Sequence, residues 1–293
     1  MKLRRPIQSL LAHEQLNFLL TNRIPRRCLT LFMGWFSKIE QPLIRDASIA
    51  AWRFFCDVDL TDAARHRFRS LHDAFIRELK PGARAIDGSA DVLSSPCDAI
   101  VGAHGPIEGT CLFQVKGFPY TLEDLLGTDI RADDWRGGTF MTLRLTAGMY
   151  HRFHAPQDCV VEEFGYFSGD TWNVNPVALK RVDKLFCKNE RVFIKARLTG
   201  EGPCRGQRIA LVPVAAILVA SIRLHFSDVL LHLKYAGPRR VACDAPFAKG
   251  EEMGWFQHGS TILVFAPRGF VPCEGVHEGA SIRMGSALMR CVA

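Results

Sequence analysis

The 293-residue sequence contains no C-x-x-C pair, no glycine-rich loop of the G-x-G-x-x-G or Walker type, and no internal repeat. These absences argue against a zinc knuckle or dithiol redox centre, against a nucleotide-phosphate cradle, and against a solenoid. The ten cysteines are scattered singly, as expected of small buried hydrophobes in a reducing compartment. No apolar run approaches the roughly 20 residues that cross a bilayer as a helix. The longest, IALVPVAAILVASI (209–222), has 14 residues, carries Pro213 and is rich in β-branched side chains, so it predicts a buried strand pair. Export is not expected, because Pro6, His13, Glu14 and Asn17 interrupt any apolar h-region and no small-x-small cleavage site follows.

What is present is an ordinary globular composition, 48% hydrophobic and 23% charged, with a net charge of +7. The excess charge is concentrated at the N-terminus, where residues 1–45 carry eight Lys or Arg against Glu14 and Glu40. Two apolar clusters, Leu10 to Leu20 and Leu29 to Phe36, are hinged at Pro25 with arginines between them. A basic amphipathic segment of this kind either lies in a membrane interface or packs its apolar faces on the domain. Each basic residue near an anionic leaflet contributes about 1 kcal/mol, enough in sum for reversible attachment. Nucleic acid is not an expected partner, because the basic residues are not spread over a strand-rich aromatic platform.

Further along, residues 42–57 and 61–79 read as helices. In the second, Ala64, Phe68, Leu71, Phe75 and Leu79 recur at helical steps, with Asp59 or Thr61 as cap and Pro81-Gly82 as the stop. After residue 90 the period changes to two: Met141, Leu143 and Leu145 alternate with polar residues, as do Ile194, Ala196 and Leu198. The expected fold is α+β, a helical N-terminal membrane-associating region (1–58) on a β-rich catalytic core (59–293).

Three stretches could carry chemistry. YHRFHAP (150–156) holds His151 and His154, but on a strand residues three apart face different sides, and no third ligand stands at metal spacing. SSPCDAIV (94–101) holds Asp98, which on its own reads as a turn cap. GWFQHGSTILVF (254–265) holds Gly259-Ser260 before an apolar run. A serine hydroxyl held against the preceding glycine carbonyl can attack it and move the acyl group from nitrogen to oxygen, since glycine tolerates the strained backbone that exposes its carbonyl. Elimination across the ester then gives a dehydroalanine that hydrolyses to a pyruvoyl group and ammonia. The serine needs a base and the base an orienting carboxylate; His154 and Asp98 are the candidates.

Taken in order, Pro-x-Asp, Tyr-His-Arg-x-His-x-Pro and a late Gly-Ser-Thr resemble the phosphatidylserine decarboxylases, pyruvoyl enzymes that cleave themselves at a Gly-Ser bond. FIRELKPGARAID (75–87), KGFPYTLEDLLG (116–127), VNP (174–176), LFCKNERV (185–192) and KGEEMGWF (249–256) carry the same resemblance, which spans about residues 65–270. It implies Asp98, His154 and Ser260 as the self-cleavage trio, cleavage between Gly259 and Ser260, and a pyruvoyl cofactor formed from Ser260 with no metal. It implies His151 in the decarboxylation, near the substrate carboxylate or the proton delivered to product. The implied substrate is phosphatidylserine at an anionic membrane surface, reached peripherally from the cytoplasmic side, and the implied assembly is a homodimer of cleaved protomers.

The sequence departs from the family pattern at His258, before the Gly-Ser step, at Cys97 and Ala99 around the aspartate, and at Ala215 and Ala220, where the family has glycines. The alternatives are a related decarboxylase acting on another serine-derived amine, and an uncleaved membrane-surface binding protein.

Overall fold

The computed structural model describes residues 14–113, 118–128, 130, 132–217, 221–227, 231–232, 239–257 and 260–292. Helices come first: α1 (Glu14–Asn22), α2 (Arg26–Phe36), α3 (Pro42–Cys56) and the single turn α4 (Leu71–Phe75). Pro25 stands at the N-terminus of α2, where its missing N–H costs nothing, and Gln41 caps α3 by accepting from Ile44 N–H at 2.8 Å. The first apolar cluster lies partly outside the described residues, which begin at Glu14.

The chain then alternates short strands with single turns of helix. The elements are β1 (Val92–Ser94), β2 (Ala99–Pro106), β3 (Cys111–Phe113), β4 (Pro119–Thr121), α5 (Leu122–Leu126), β5 (Thr139–Arg144), β6 (Arg152–His154) and β7 (Cys159–Phe167). After them come α6 (Pro176–Leu179), α7 (Leu185–Lys188), β8 (Arg191–Leu198), β9 (Arg208–Ala215), β10 (Ser221–Leu224), β11 (Leu231–His232) and β12 (Arg240–Phe247). The chain closes with β13 (Glu252–Phe256), β14 (Ser260–Ala266), β15 (Phe270–Pro272), β16 (Ser281–Ile282) and β17 (Ala287–Cys291).

The architecture is α+β, with a sheet-rich core behind N-terminal helices. Eight antiparallel strands form the central sheet in the order β12-β7-β8-β9-β14-β5-β2-β16. A four-stranded sheet, β11-β10-β13-β6, and a three-stranded one, β1-β17-β15, complete the layer on one face. There Leu143, Ile194, Leu211, Ile262 and Val264 of the large sheet share a core with Phe153, Ile222 and Phe256 of the small one. On the opposite face Phe193, Val212, Leu263 and Phe265 pack under α5, α6 and α7. With both faces covered, β9 and β14 read as continuous apolar runs instead of alternating ones, the usual pattern of a doubly covered strand.

Two expectations change. The helix expected over 61–79 shrinks to Leu71–Phe75, because the ends of that segment bond to each other: Ala64 N–H donates to Glu78 C=O at 2.8 Å and Lys80 N–H to Asp62 C=O at 2.9 Å. Asp59 closes a turn on Thr61 and Ser70 caps the short helix. The apolar run 209–222 does supply two strands, β9 and the start of β10, but they belong to different sheets and do not pair. Among the described residues no helix is long and apolar enough to cross a membrane.

Candidate active site

Strand register brings the separate motifs together. Ile100 of β2, Arg144 of β5 and Thr261 of β14 lie in one cross-strand row, and Thr261 continues it to Val214 of β9. Asp98 therefore sits just before β2 at the strand end where Ser260 opens β14, about 10 Å away by two strand spacings. Ser260 pairs with Ala215 through the backbone. Gly259 and His258 lie outside the described residues, as does Ala220. Ala99 and Ala215 are both fully buried at this end of the sheet.

Asp98 is buried and fully engaged. Arg84 donates from Nε to Oδ1 at 3.0 Å and from Nη2 to Oδ2 at 2.6 Å, and the Met284 N–H adds a bond to Oδ1 at 2.8 Å. Arg84 also reaches Asp62 at 2.9 Å. Two carboxylates hold its guanidinium firmly protonated, chiefly through the bond to Asp98.

His154, at the end of β6, has a defined tautomer. Its Nδ1 lies 2.9 Å from the Gly250 carbonyl, which can only accept, so the proton is on Nδ1. Its Nε2 then presents a lone pair to the Tyr150 hydroxyl at 3.0 Å. Burial lowers the His154 pKa against the opposing pull of the Gly250 bond and of Glu252, leaving a neutral imidazole. Burial also keeps the Tyr150 phenol protonated. Asp98 and His154 share no hydrogen bond; the carboxylate acts on His154 through space, as it does on Tyr150.

His151 is fully buried on a different side of the same segment. Its Nδ1 bonds to the Met149 carbonyl at 2.8 Å, and its ring lies 4.0 Å from that of Phe75, so α4 holds the imidazole from above. Arg77, two residues past Phe75, ties the loop before His151 by donating to the Gly148 carbonyl at 3.1 Å, and Trp52 of α3 donates to the Ala147 carbonyl at 3.0 Å.

Two cavities meet at this strand end. One, of about 380 Å³, is mostly apolar and lies between Met33, Trp52, Phe75, Leu145, Thr146 and Ala216. The other, of about 470 Å³, is lined by Arg77, Arg84, Asp98 and Tyr150 among others, and shares Cys56 and Thr146 with the first. Ala216 and Thr146 follow Ala215 and Leu145 at the mouth of the strands, so the apolar cavity opens where β14 begins. A carbonyl group carried at position 260 fits this setting, because the flanking residue Ala215 brings only a methyl and the apolar cavity opens beside it.

The structure thus gathers Asp98, His151, His154 and the backbone of Ser260 at one end of the central sheet. Arg84 and Tyr150 belong to the same cluster and are absent from the sequence-level assignment. Both lie inside motifs quoted above, but neither can be given a partner without the fold.

Comparison with known proteins agrees with the motifs. The family model described as phosphatidylserine decarboxylase matches residues 71–290. A phosphatidylserine decarboxylase proenzyme of Myxococcus xanthus is 33% identical over 272 residues, covering 90% of this chain and 94% of the relative. Proenzymes of the same description from Aliivibrio salmonicida (34% over 277 residues, 89% and 93% covered) and Brevibacillus brevis (31% over 276 residues, 92% and 95%) match over nearly the same span.

Proposed function

The chain belongs to the phosphatidylserine decarboxylase family, and from that premise we propose that it is a proenzyme that cuts itself between Gly259 and Ser260 and then decarboxylates phosphatidylserine to phosphatidylethanolamine. What supports the reading is that Asp98 and Tyr150, the latter bonded to His154, line a cavity at the end of the sheet where Ser260 begins β14. In the first reaction His154, neutral with its lone pair on Nε2, takes the serine proton, and Asp98 steadies the charge that develops on the ring. A pyruvoyl group at position 260 would supply a carbonyl able to take up the substrate amine and accept the electrons of the breaking bond. The chain's own part in that reaction is to exclude water with Phe75 and Trp52, to seat the lipid in the apolar cavity, and to keep His151 beside the reacting carbon as a proton carrier.

A lipid substrate accounts for the helices. Leu31, Phe32 and Trp35 of α2 and Leu43 and Phe55 of α3 are more than half exposed. An apolar surface of this kind on a basic segment suits an interface, with residues 1–58 holding the β-rich remainder at an anionic leaflet. Cleaved protomers pairing as a homodimer is part of the same reading.

The test is the intact mass of the denatured protein together with carbon dioxide release from phosphatidylserine vesicles. Two species, one ending at Gly259 and one beginning with a blocked residue 260, and release from the lipid support the proposal. One uncut species that floats with anionic vesicles and releases nothing would leave the binding-protein alternative standing. Release from a water-soluble serine derivative but not from the lipid would favour the related decarboxylase.

A further inference from the structure

The NER step of the LFCKNERV motif, Asn189 to Arg191, contains a carboxylate that the site described above does not use. Asn189 and Arg191 spend their side chains on backbone carbonyls: Asn189 Nδ2 donates to Trp172 and Ala215 at 2.8 Å each, and Arg191 donates to Leu125 at 2.6 Å and Cys187 at 2.7 Å. Glu190 between them is 1% exposed, and neither of its side-chain oxygens has a hydrogen-bond partner. A structural carboxylate in such a place would be paired, because burying it unpaired is costly.

Its position relates it to the reaction centre. Val214 of β9 pairs with Arg191 on one side and with Thr261 on the other. One step back, Ala215 donates its N–H to the Glu190 carbonyl at 2.8 Å and pairs with Ser260. Positions 190, 215 and 260 therefore form one cross-strand row and, by strand alternation, share one face. Two strand spacings separate 190 from 260 by about 10 Å at the backbone, an extended glutamate arm closes roughly half of that, and the residue between contributes only a methyl.

We propose that Glu190 is the general acid of the self-cleavage reaction, giving its proton to the backbone nitrogen of residue 260 as that nitrogen leaves. This rests on the self-processing reading above. In the acyl shift a bond forms between the serine oxygen and the preceding carbonyl carbon, and the carbon–nitrogen bond of the peptide breaks. His154 takes the hydroxyl proton, and the nitrogen, a poor leaving group as an anion, takes a proton from the Glu190 carboxyl. One proton is accepted and one donated, and the Glu190 carboxylate and His154 imidazolium return to their resting states through solvent.

The protonation states suit the assignment. Burial pushes Glu190 up to about 8, with Arg27 pulling weakly the other way, so it carries a proton at neutral pH. The nearby Asp170 carboxylate is committed to Arg26 at 2.6 Å. Burial pushes His154 down, so it carries none. Two groups moved apart by their surroundings, one into an acid and one into a base, form the pair that a proton-shuttling step needs.

The experiment follows cleavage of the full-length chain by intact mass in wild type, Glu190→Gln and Glu190→Asp, treating the uncut, denatured chain with hydroxylamine to reveal any ester. The expected result is a folded Glu190→Gln protein that splits at least about 100-fold more slowly than wild type, whose uncut chain resists hydroxylamine, with partial recovery in Glu190→Asp. Cleavage of Glu190→Gln at the wild-type rate overturns the proposal, as does accumulation of a hydroxylamine-labile chain, which puts the need for Glu190 after the acyl shift. An uncut wild-type chain overturns the self-processing reading itself. Should Glu190→Gln fail to fold, the infrared carboxyl bands of Ser260→Ala protein with labelled glutamate decide: a protonated glutamic acid at pH 7 is expected, and a fully ionised set overturns the assignment.

Discussion

Arg84 grips both oxygens of Asp98, at 3.0 and 2.6 Å, while His154, the residue that Asp98 is expected to orient, turns its two nitrogens to Gly250 and Tyr150. The carboxylate is thus fixed by an arginine and acts on the imidazole as a charge held in place. A buried two-pronged pair is geometrically exacting, and lysine cannot reproduce it.

Arg84→Lys should therefore slow self-cleavage by about tenfold or more, by letting the carboxylate turn away from the site. Arg84→Ala should in addition cost stability, on the order of 3 kcal/mol, because it leaves Asp98 buried without its partner. Time courses of intact mass and thermal unfolding check the two effects separately. Wild-type cleavage in Arg84→Lys would mean that Asp98 needs no second prong.

Tyr150→Phe tests the other half of the arrangement. The tyrosine O–H donates to Nε2 and so favours the neutral ring. Removing it should raise the His154 pKa from its burial-lowered value and shift the acidic limb of the cleavage rate to higher pH. The checks are the pH dependence of cleavage and the titration of the His154 ring by NMR. An acidic limb that stays in place would show that the tyrosine does not control the base.

The α+β character was legible in the change of period near residue 90, and the motif residues were legible in their order along the chain. Register was not. Nothing in the sequence says that Ala215 and Ser260 are neighbours, or that Arg191 and Thr261 flank the same valine, because those pairings come from the sheet order β8-β9-β14. The stretch 61–79 misled for a related reason. Its apolar residues do recur at helical steps, but the bonds of Ala64 to Glu78 and of Lys80 to Asp62 join the segment's ends, and that exchange is not local. Arg84, Tyr150 and Glu190 were visible as letters and silent as roles for want of a partner.

Gly148 marks where the helices meet the site. A Cβ there would lie 2.3 Å from the Cys56 carbonyl oxygen, a backbone atom at the end of α3 that no rotamer change can move. Gly148→Ala should destabilise the fold by about 1–3 kcal/mol, the range for overpacking, and push α3 away from the loop that carries Tyr150. Gly88→Ala, where a Cβ meets nothing within 4 Å, is the matched control and should unfold like wild type. Equal melting temperatures for the two variants would mean that α3 is not seated on this loop.

His72, half-buried, and His154, buried, make stability depend on pH with the opposite sign to Glu190. His72, driven down to about 4 by burial and by Lys38, and His154, also lowered, contribute stability that is full above the ordinary histidine value of 6.5 and is lost as pH falls towards the folded values. Glu190, raised from 4.5 to about 8, behaves the other way: the folded protein holds a proton that the unfolded chain has released, so stability declines as pH rises from 4.5 towards 8. In a Ser260→Ala background, which keeps every chain uncut, Glu190→Gln should stabilise the fold at pH 8 by on the order of a few kcal/mol at most, seen as a higher melting temperature, and change it little at pH 4. Thermal unfolding of the two proteins across that range measures the difference directly. A Glu190→Gln protein that is less stable than its parent at pH 8 would mean that the carboxyl is ionised and paired in solution, and that it carries no proton for the site.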